Sequence, residues 1–172
     1  MTQAVHVSSK SVQTYTAPMS FVNLCAERFG VNFVLDLAAD ASNARCNIFY
    51  DEKENALKQD WHSGLLRAAT IEDAEMKRVA AWNNPPYRIT PAFMRKCSEE
   101  SQRGCKIVTL TLASLGTKWY KSYVKPFAAS YILEDRITFD GQKDPFPKEL
   151  MVSLFGFGMT GLCWWNWKKD VA

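Results

Sequence analysis

Short apolar runs alternate with amphipathic stretches along most of this chain. Residues 18–29 carry apolar side chains at helical spacing, and Gly30 follows as a stop signal. The apolar run at 31–37 that comes next is typical of a buried parallel strand. The pattern therefore predicts a helix followed by a strand near the amino terminus.

The same alternation continues into the final third of the chain. Residues 90–102 are predicted to form a helix, with Thr90 as its N-cap and Pro91 at its first position. A turn and short helix are expected at 38–45, and a polar, helix-prone stretch at 52–58. An amphipathic stretch is expected at 67–78, and a helix or loop at 117–123. Further strands are expected at 46–50, 79–82, 106–112, 130–139 and 150–157.

These elements predict an α/β fold, with a mainly parallel sheet and an antiparallel C-terminal hairpin made by the last two strands. The 172 residues suit one domain, and we expect it to cover 14–172 after a frayed or disordered tail at 1–13. Gly156 to Gly161 spells GxGxxG, but only eleven residues follow it. The motif is therefore interpreted as a turn after the last strand.

Composition and charge restrict the functional class only weakly. The net charge of +3 is compatible with a nucleic-acid partner but does not require one. Five cysteines without CxxC spacing and two histidines give no zinc signature, so no metal is predicted. The most apolar stretch, 150–167, is interrupted by glycines, whereas a spanning helix needs ~20 mostly apolar residues. We therefore expect a cytoplasmic protein with no membrane partner.

The segment Asn84, Pro85, Pro86 and Tyr87 carries the clearest chemical signal. It follows a short apolar strand, and ligands of open α/β sheets bind where strands end. The Asn84 side chain and the carbonyls of this rigid corner offer acceptors to an exocyclic amine, and Tyr87 offers a flat face. Such a pocket would act by positioning and electrostatics. The alternative is a rigid turn with a packed tyrosine.

This tetrapeptide is the signature of amino-group methyltransferases that use S-adenosylmethionine, and the chain resembles the small phage-type DNA N-6-adenine methyltransferases over roughly residues 14–157. The matching stretches are Thr16-Ala17-Pro18, Leu35-Asp36-Leu37-Ala38-Ala39, Asn43-Ala44-Arg45-Cys46, Ala56-Leu57, Asp60-Trp61, Trp82 to Tyr87, Thr117-Lys118-Trp119-Tyr120 and Arg136-Ile137-Thr138-Phe139. The resemblance implies a Rossmann-like methyltransferase fold with helices on both faces of the sheet.

The resemblance also implies roles for particular residues. Asn84 to Tyr87 would hold the target base, and Asp36 would bind the methionine part of S-adenosylmethionine. The other implied cofactor residues are Thr16, Pro18, Ala38, Asp51, Asp60 and Trp61. The chain departs from many methyltransferases at Ala38, because no glycine-rich loop follows the first strand.

The implied partner is DNA, with adenine N6 as acceptor in a flipped or single-stranded base. Candidate DNA contacts are Arg88, Lys118, Trp119 and Lys121. A phage or prophage gene acting in the host cytoplasm is the expected source, and a homodimer is one way to supply sequence specificity. Other acceptors stay open, namely cytosine N4, RNA or a protein glutamine, as does a non-catalytic DNA-binding protein of the same fold.

Overall fold

The computed structural model describes residues 15–171, so the predicted tail at 1–13 lies outside the described residues. Six strands of this part of the chain form one sheet. Their bounds are β1 Asn32–Asp36, β2 Val79–Asn83, β3 Ile107–Leu112, β4 Ala128–Leu133, β5 Leu150–Phe155 and β6 Gly161–Trp165. The spatial order is β1-β2-β3-β5-β4-β6.

Five of these strands run in one direction and β5 runs against them. β1, β2 and β3 pair in parallel, as do β4 and β6, whereas β5 is antiparallel to both of its neighbours, β3 and β4. The predicted mainly parallel α/β sheet is confirmed. The carboxyl ends of β1, β2, β3 and β4 therefore lie at one edge of the sheet.

Helices cover both faces of the sheet. The helices are α1 Met19–Phe29, α2 Trp61–Ile71 and α3 Thr90–Ser101, with a short π-helix at Tyr120–Val124. Apolar residues of α2, α3 and the π-helix share one buried cluster with the sheet. Those of α1 belong to a second buried cluster on the opposite face. The alternation of strand side chains between the two clusters explains the apolar runs in the sequence.

The first helix and strand form as the pattern predicts. Pro18 precedes α1, and its carbonyl accepts the N–H of Phe21 at 3.0 Å. Gly30 ends the helix in the left-handed region, with φ 64°, and the N–H of Val31 donates to the Ala26 carbonyl at 2.9 Å.

Several predicted elements are shorter than expected or lie elsewhere. Residues 38–45 form turns without a helix, 46–50 contribute one isolated bridge between Asp36 and Phe49, and 52–58 contain a 3₁₀ turn at Ala56–Lys58. The amphipathic stretch expected at 67–78 is only partly in a helix: α2 spans Trp61–Ile71, and Asp60 caps it by accepting the N–H of Ser63 at 3.1 Å. Thr90 is the first residue of α3 and Ile89 is the N-cap.

The carboxyl-terminal part of the sheet is more elaborate than a hairpin. β4 and β5 are antiparallel, but β4 ends at Leu133 and not at Phe139, and β5 inserts between β3 and β4. The turn predicted at 156–161 is present, with Gly156 at φ 81° and Gly158 at φ 71°. It leads into β6, which pairs with β4 at the edge of the sheet. β5 is therefore not the last strand, contrary to the expectation from the sequence.

Within residues 15–171, no helix has the length and apolar character needed to cross a membrane.

Candidate active site

The end of β1 and the end of β2 lie side by side at the carboxyl edge of the sheet. Asp36, the last residue of β1, pairs with Trp82, and the N–H of Leu37 donates to the Trp82 carbonyl at 2.9 Å. Asn84 follows β2 directly. The parallel register therefore brings together the acid predicted to bind the cofactor and the corner predicted to bind the base.

Asp36 is a buried acid, with 3% of its surface exposed. Its carboxylate accepts the backbone N–H groups of Ala38 at 3.2 Å and of Arg45 at 2.9 Å. Burial raises the pKa of Asp36 to about 6, while these two hydrogen bonds and the charge of Arg45 oppose the rise. The two hydrogen bonds of Asp36 hold the loop after β1 in place.

Arg45 brings a positive charge to the same place. Its guanidinium forms an ion pair with Asp140, and only 13% of its side chain is exposed. Its Nε is buried and has no hydrogen-bond partner among residues 15–171. A buried donor without a partner is costly. The arrangement suits an anionic ligand beside Arg45 and a cationic one beside Asp36.

The Asn84 side chain is oriented by the amino-terminal segment. Its Nδ2 donates to the backbone carbonyl of Tyr15. Because a carbonyl oxygen only accepts, the amide must present its NH₂ group to Tyr15 and turn its Oδ1 the other way. Pro85, the next residue, is buried. The corner therefore holds an oriented acceptor, as the base-binding hypothesis requires.

The face of Tyr87 is covered by aromatic residues. Its ring stacks on Tyr15 with centroids 5.7 Å apart and a 29° interplanar angle, and it lies 5.8 Å from Phe146. The hydroxyl is buried without a partner among the described residues, and burial raises the pKa of Tyr87 above its ordinary value. The aromatic face of Tyr87 that was predicted to stack on a base is therefore covered by Tyr15.

A small cavity of about 10 Å³ remains between the two strand ends, which is room for about one water molecule. Thr16 and Ala38, both predicted cofactor residues, line it together with Asp36, Arg45 and Asn84.

The remaining predicted cofactor residues do not line this cavity. Asp51 lies two residues beyond the bridge at Phe49, near the same edge of the sheet, and its Oδ1 accepts the N–H groups of Lys53 at 2.8 Å and Glu54 at 2.9 Å. Pro18 precedes α1.

The pair Asp60 and Trp61 has structural contacts. Asp60 caps α2 and forms an ion pair with Arg103 at 3.0 Å, and this hydrogen bond lowers the pKa of Asp60 well below its usual range. Trp61 is 1% exposed, and its Nε1 donates to the Ala56 carbonyl at 2.7 Å. Their roles in cofactor binding stay predictions.

The predicted DNA contacts follow strands that end at the same edge. Arg88 is exposed in the turn after the Asn84 corner, and Lys118 and Lys121 are exposed in the segment after β3. Trp119 is partly buried and packs on the apolar cluster beneath the π-helix. Its body is therefore anchored in the fold.

Sequence reasoning missed Tyr15 and Arg45 as parts of this site. Arg45 lies in a stretch that matches the family but was given no role, and Tyr15 directly precedes the Thr-Ala-Pro stretch. Only long-range contacts, to Asp140 and to Asn84 and Tyr87, reveal them.

Comparison with known proteins connects this geometry to a family. The family description "DNA N-6-adenine-methyltransferase (Dam)" matches residues 5–149. The chain belongs to this family. The resemblance stated from the sequence is thereby confirmed, and the strand ends at Asp36 and Asn84 lie inside the matched range.

Two curated relatives are similar to parts of this Dam-family chain. The "DNA N-6-adenine-methyltransferase" of Escherichia phage T1 is 27% identical over 106 residues, which is 62% of this chain and 38% of that protein. The "Putative methyltransferase YfdM" of Escherichia coli K12 is 46% identical over 55 residues, 32% of this chain and 50% of that protein. The matches thus span half or less of the curated relatives' lengths.

Proposed function

We propose that this chain transfers a methyl group from S-adenosylmethionine to N6 of adenine in DNA. The observation that carries the proposal is the proximity of Asp36 and Asn84, which line one cavity at the carboxyl edge of the sheet. Family membership supports the same reaction. The parallel sheet with one reversed strand, β5, supports the Rossmann-like methyltransferase fold inferred from the resemblance.

The charges around the small cavity match those of the amino-acid part of the cofactor, and the cavity would have to widen beyond its present volume of about 10 Å³ to receive it. Asp36 is a buried carboxylate that can face an ammonium, and Arg45 has a buried Nε without a partner among residues 15–171 that can face a carboxylate. Thr16 adds a hydroxyl, and Asp51 lies near the same edge for the ribose hydroxyls. The bound cofactor supplies an electrophilic methyl group on a sulfonium.

The chain's own contribution to the reaction is to hold the amine. The Asn84 Oδ1 and the Pro85 carbonyl accept the two N6 hydrogens, which draws the nitrogen lone pair out of the ring. With the cofactor bound, the lone pair would be free to accept its methyl group, S-adenosylhomocysteine would be the leaving group, and one N6 proton would leave to water. Reducing the delocalisation of the N6 lone pair into the ring needs only fixed hydrogen-bond acceptors and no general base of unusual strength.

The target adenine of DNA must lie outside the DNA double helix to reach this edge of the sheet. A base inside a duplex cannot reach a strand end, so a flipped or single-stranded adenine is required, at a cost of a few kcal/mol in duplex DNA. Arg88, Lys118 and Lys121 are exposed in segments that follow strand ends at this edge, which supports them as phosphate contacts, and Trp119 is the neighbour of Lys118 in the chain. The mechanism needs one chain, so the homodimer stays a prediction that sedimentation velocity can check.

Transfer of labelled methyl groups tests the proposal. The protein is incubated with methyl-labelled S-adenosylmethionine and, in parallel, with unmethylated DNA, RNA or bulk protein. We expect label in the DNA arm. Label confined to RNA or protein would reassign the acceptor, and no label in any arm, together with no heat on titration with S-adenosylhomocysteine, would favour a non-catalytic DNA-binding protein.

A further inference from the structure

Tyr15 lines two cavities of very different size. The small one is also lined by Asp36 and Asn84, whereas the second, of about 260 Å³, is lined by the loop between β4 and β5. Phe139, Gln142, Lys143 and Phe146 line this larger cavity. It lies beside the catalytic corner proposed above, because Tyr87 and Phe146 are in contact with the same ring of Tyr15.

The ring of Tyr15 lies on the face of Tyr87, which is where the proposed function puts the target base. It is stacked on Tyr87 at 5.7 Å, meets Phe146 edge-on at 5.1 Å, and lies 5.2 Å from Phe139. A flat ring on the face of Tyr87 is a stand-in for a planar nucleobase. Aromatic side chains accept bases in this way with little dependence on sequence, because every base has a π-face.

The backbone of Tyr15, in contrast, is fixed. Its carbonyl accepts the Asn84 amide, and the next carbonyl, that of Thr16, accepts the N–H of Asp140 at 2.9 Å. Rotation about the Cα–Cβ bond of Tyr15 can therefore remove the ring while these hydrogen bonds stay intact. The contact that orients Asn84 survives the movement.

We propose that the larger cavity receives the target nucleotide, and that the incoming base replaces the ring of Tyr15 on Tyr87. Tyr15 is thus a positioning residue with two parts, a carbonyl that orients Asn84 and a ring that fills the base site until DNA arrives. Phe139 and Phe146 line the route with aromatic surface, and Lys143 lies where a nucleotide phosphate can be met. This inference rests on the proposed function.

The test compares Tyr15→Ala with Tyr15→Phe in methyl transfer to unmethylated plasmid DNA. Removing the ring abolishes its competition with the base, and an aromatic pair of this kind accounts for about a threefold to tenfold change in affinity. We expect Tyr15→Ala to lower the KM for DNA by that factor and Tyr15→Phe, which keeps the ring, to restore the wild-type KM. A higher KM in Tyr15→Ala would overturn the proposal, because it would mean that the ring helps to bind the base. An unchanged KM would also overturn it, because it would mean that the ring does not affect base binding.

A second measurement covers the case in which Tyr15→Ala does not fold. The wild type is labelled with 3-fluorotyrosine, and the Tyr15 fluorine signal is identified by its loss in Tyr15→Phe. A short unmethylated duplex, with a sequence that the wild type methylates in the plasmid, is added until anisotropy shows binding. We expect the Tyr15 signal to move toward that of an exposed tyrosine, and a signal that stays in place would overturn the proposal. Failure of the wild type to methylate DNA at all would instead sink the proposed function.

Discussion

The carboxylate of Asp36 accepts the backbone N–H of Arg45 at 2.9 Å and closes the loop that begins at the end of β1. This hydrogen bond holds the backbone of Arg45 against a buried acid in the absence of a glycine-rich turn, and the Arg45 side chain, 13% exposed, adds a positive charge near Asp36. The loop is held by side chain to backbone contacts instead. The proposed amino-acid site of the cofactor depends on this pair.

The first prediction concerns pH. The cofactor's ammonium favours the ionised form of Asp36, and burial raises the pKa of Asp36 to about 6. We expect affinity for S-adenosylhomocysteine to fall by up to about tenfold per pH unit once the pH is below that value. The neighbouring Cys46, whose thiol pKa is raised by burial, stays neutral over this range.

Calorimetric titrations across this range provide the check. Asp36→Asn is the control and should bind weakly with little pH dependence. A wild-type Kd that is the same on both sides of pH 6 would contradict the role of Asp36. The raised pKa has a separate effect on stability, since the folded state holds this proton more tightly: the contribution of Asp36 to the free energy of unfolding is largest at acid pH and is lost as the pH rises through about 6.

The second prediction assigns Arg45 to the cofactor's carboxylate. Arg45→Met keeps much of the length and removes the charge, so the Kd for S-adenosylhomocysteine should rise about tenfold or more. The Kd for 5′-methylthioadenosine, which lacks the amino-acid part, should not change. Arg28→Met, which removes a guanidinium paired with Asp170 far along the chain, is the matched control. If Arg45→Met lost the same factor in affinity for both ligands, the result would point to a collapsed site and count against the assignment.

A third prediction separates backbone strain from crowding at the turn before β6. Gly156 and Gly158 both have positive φ, but a Cβ at Gly156 would lie 2.0 Å from the Cys105 carbonyl oxygen, whereas one at Gly158 would meet nothing within 4 Å. Gly158→Ala should cost about 1 kcal/mol, a Tm decrease of about 2–4 °C. Gly156→Ala should lower the Tm by clearly more. Equal melting temperatures would mean that the strand end can shift without cost.

The sequence predicted the parts of the fold that depend on neighbouring residues. The helix ending at Gly30, the strand that follows it and the corner at Asn84 are local patterns, and all three are present. It did not predict the position of β5 between β3 and β4, because strand order depends on pairing between distant segments.

The site shows the same division. The proximity of Asp36 and Asn84 could be expected, since parallel strands end at one edge. The contacts of Tyr15 with Asn84 and Tyr87 join residues far apart in the chain. Asp60 illustrates a different difficulty, because an acid before an apolar helix has the same sequence pattern whether it caps the helix or binds a ligand.

The most direct measurement is mass spectrometry of nucleosides from DNA incubated with S-adenosylmethionine and either the wild type or Asn84→Ala. The wild type should produce N6-methyldeoxyadenosine. Asn84→Ala should produce it about a hundredfold more slowly or worse, because a fixed acceptor for the amine is lost, while its Kd for S-adenosylhomocysteine stays close to that of the wild type. Methylation of cytosine in place of adenine, or near-normal rates in Asn84→Ala, would contradict the account.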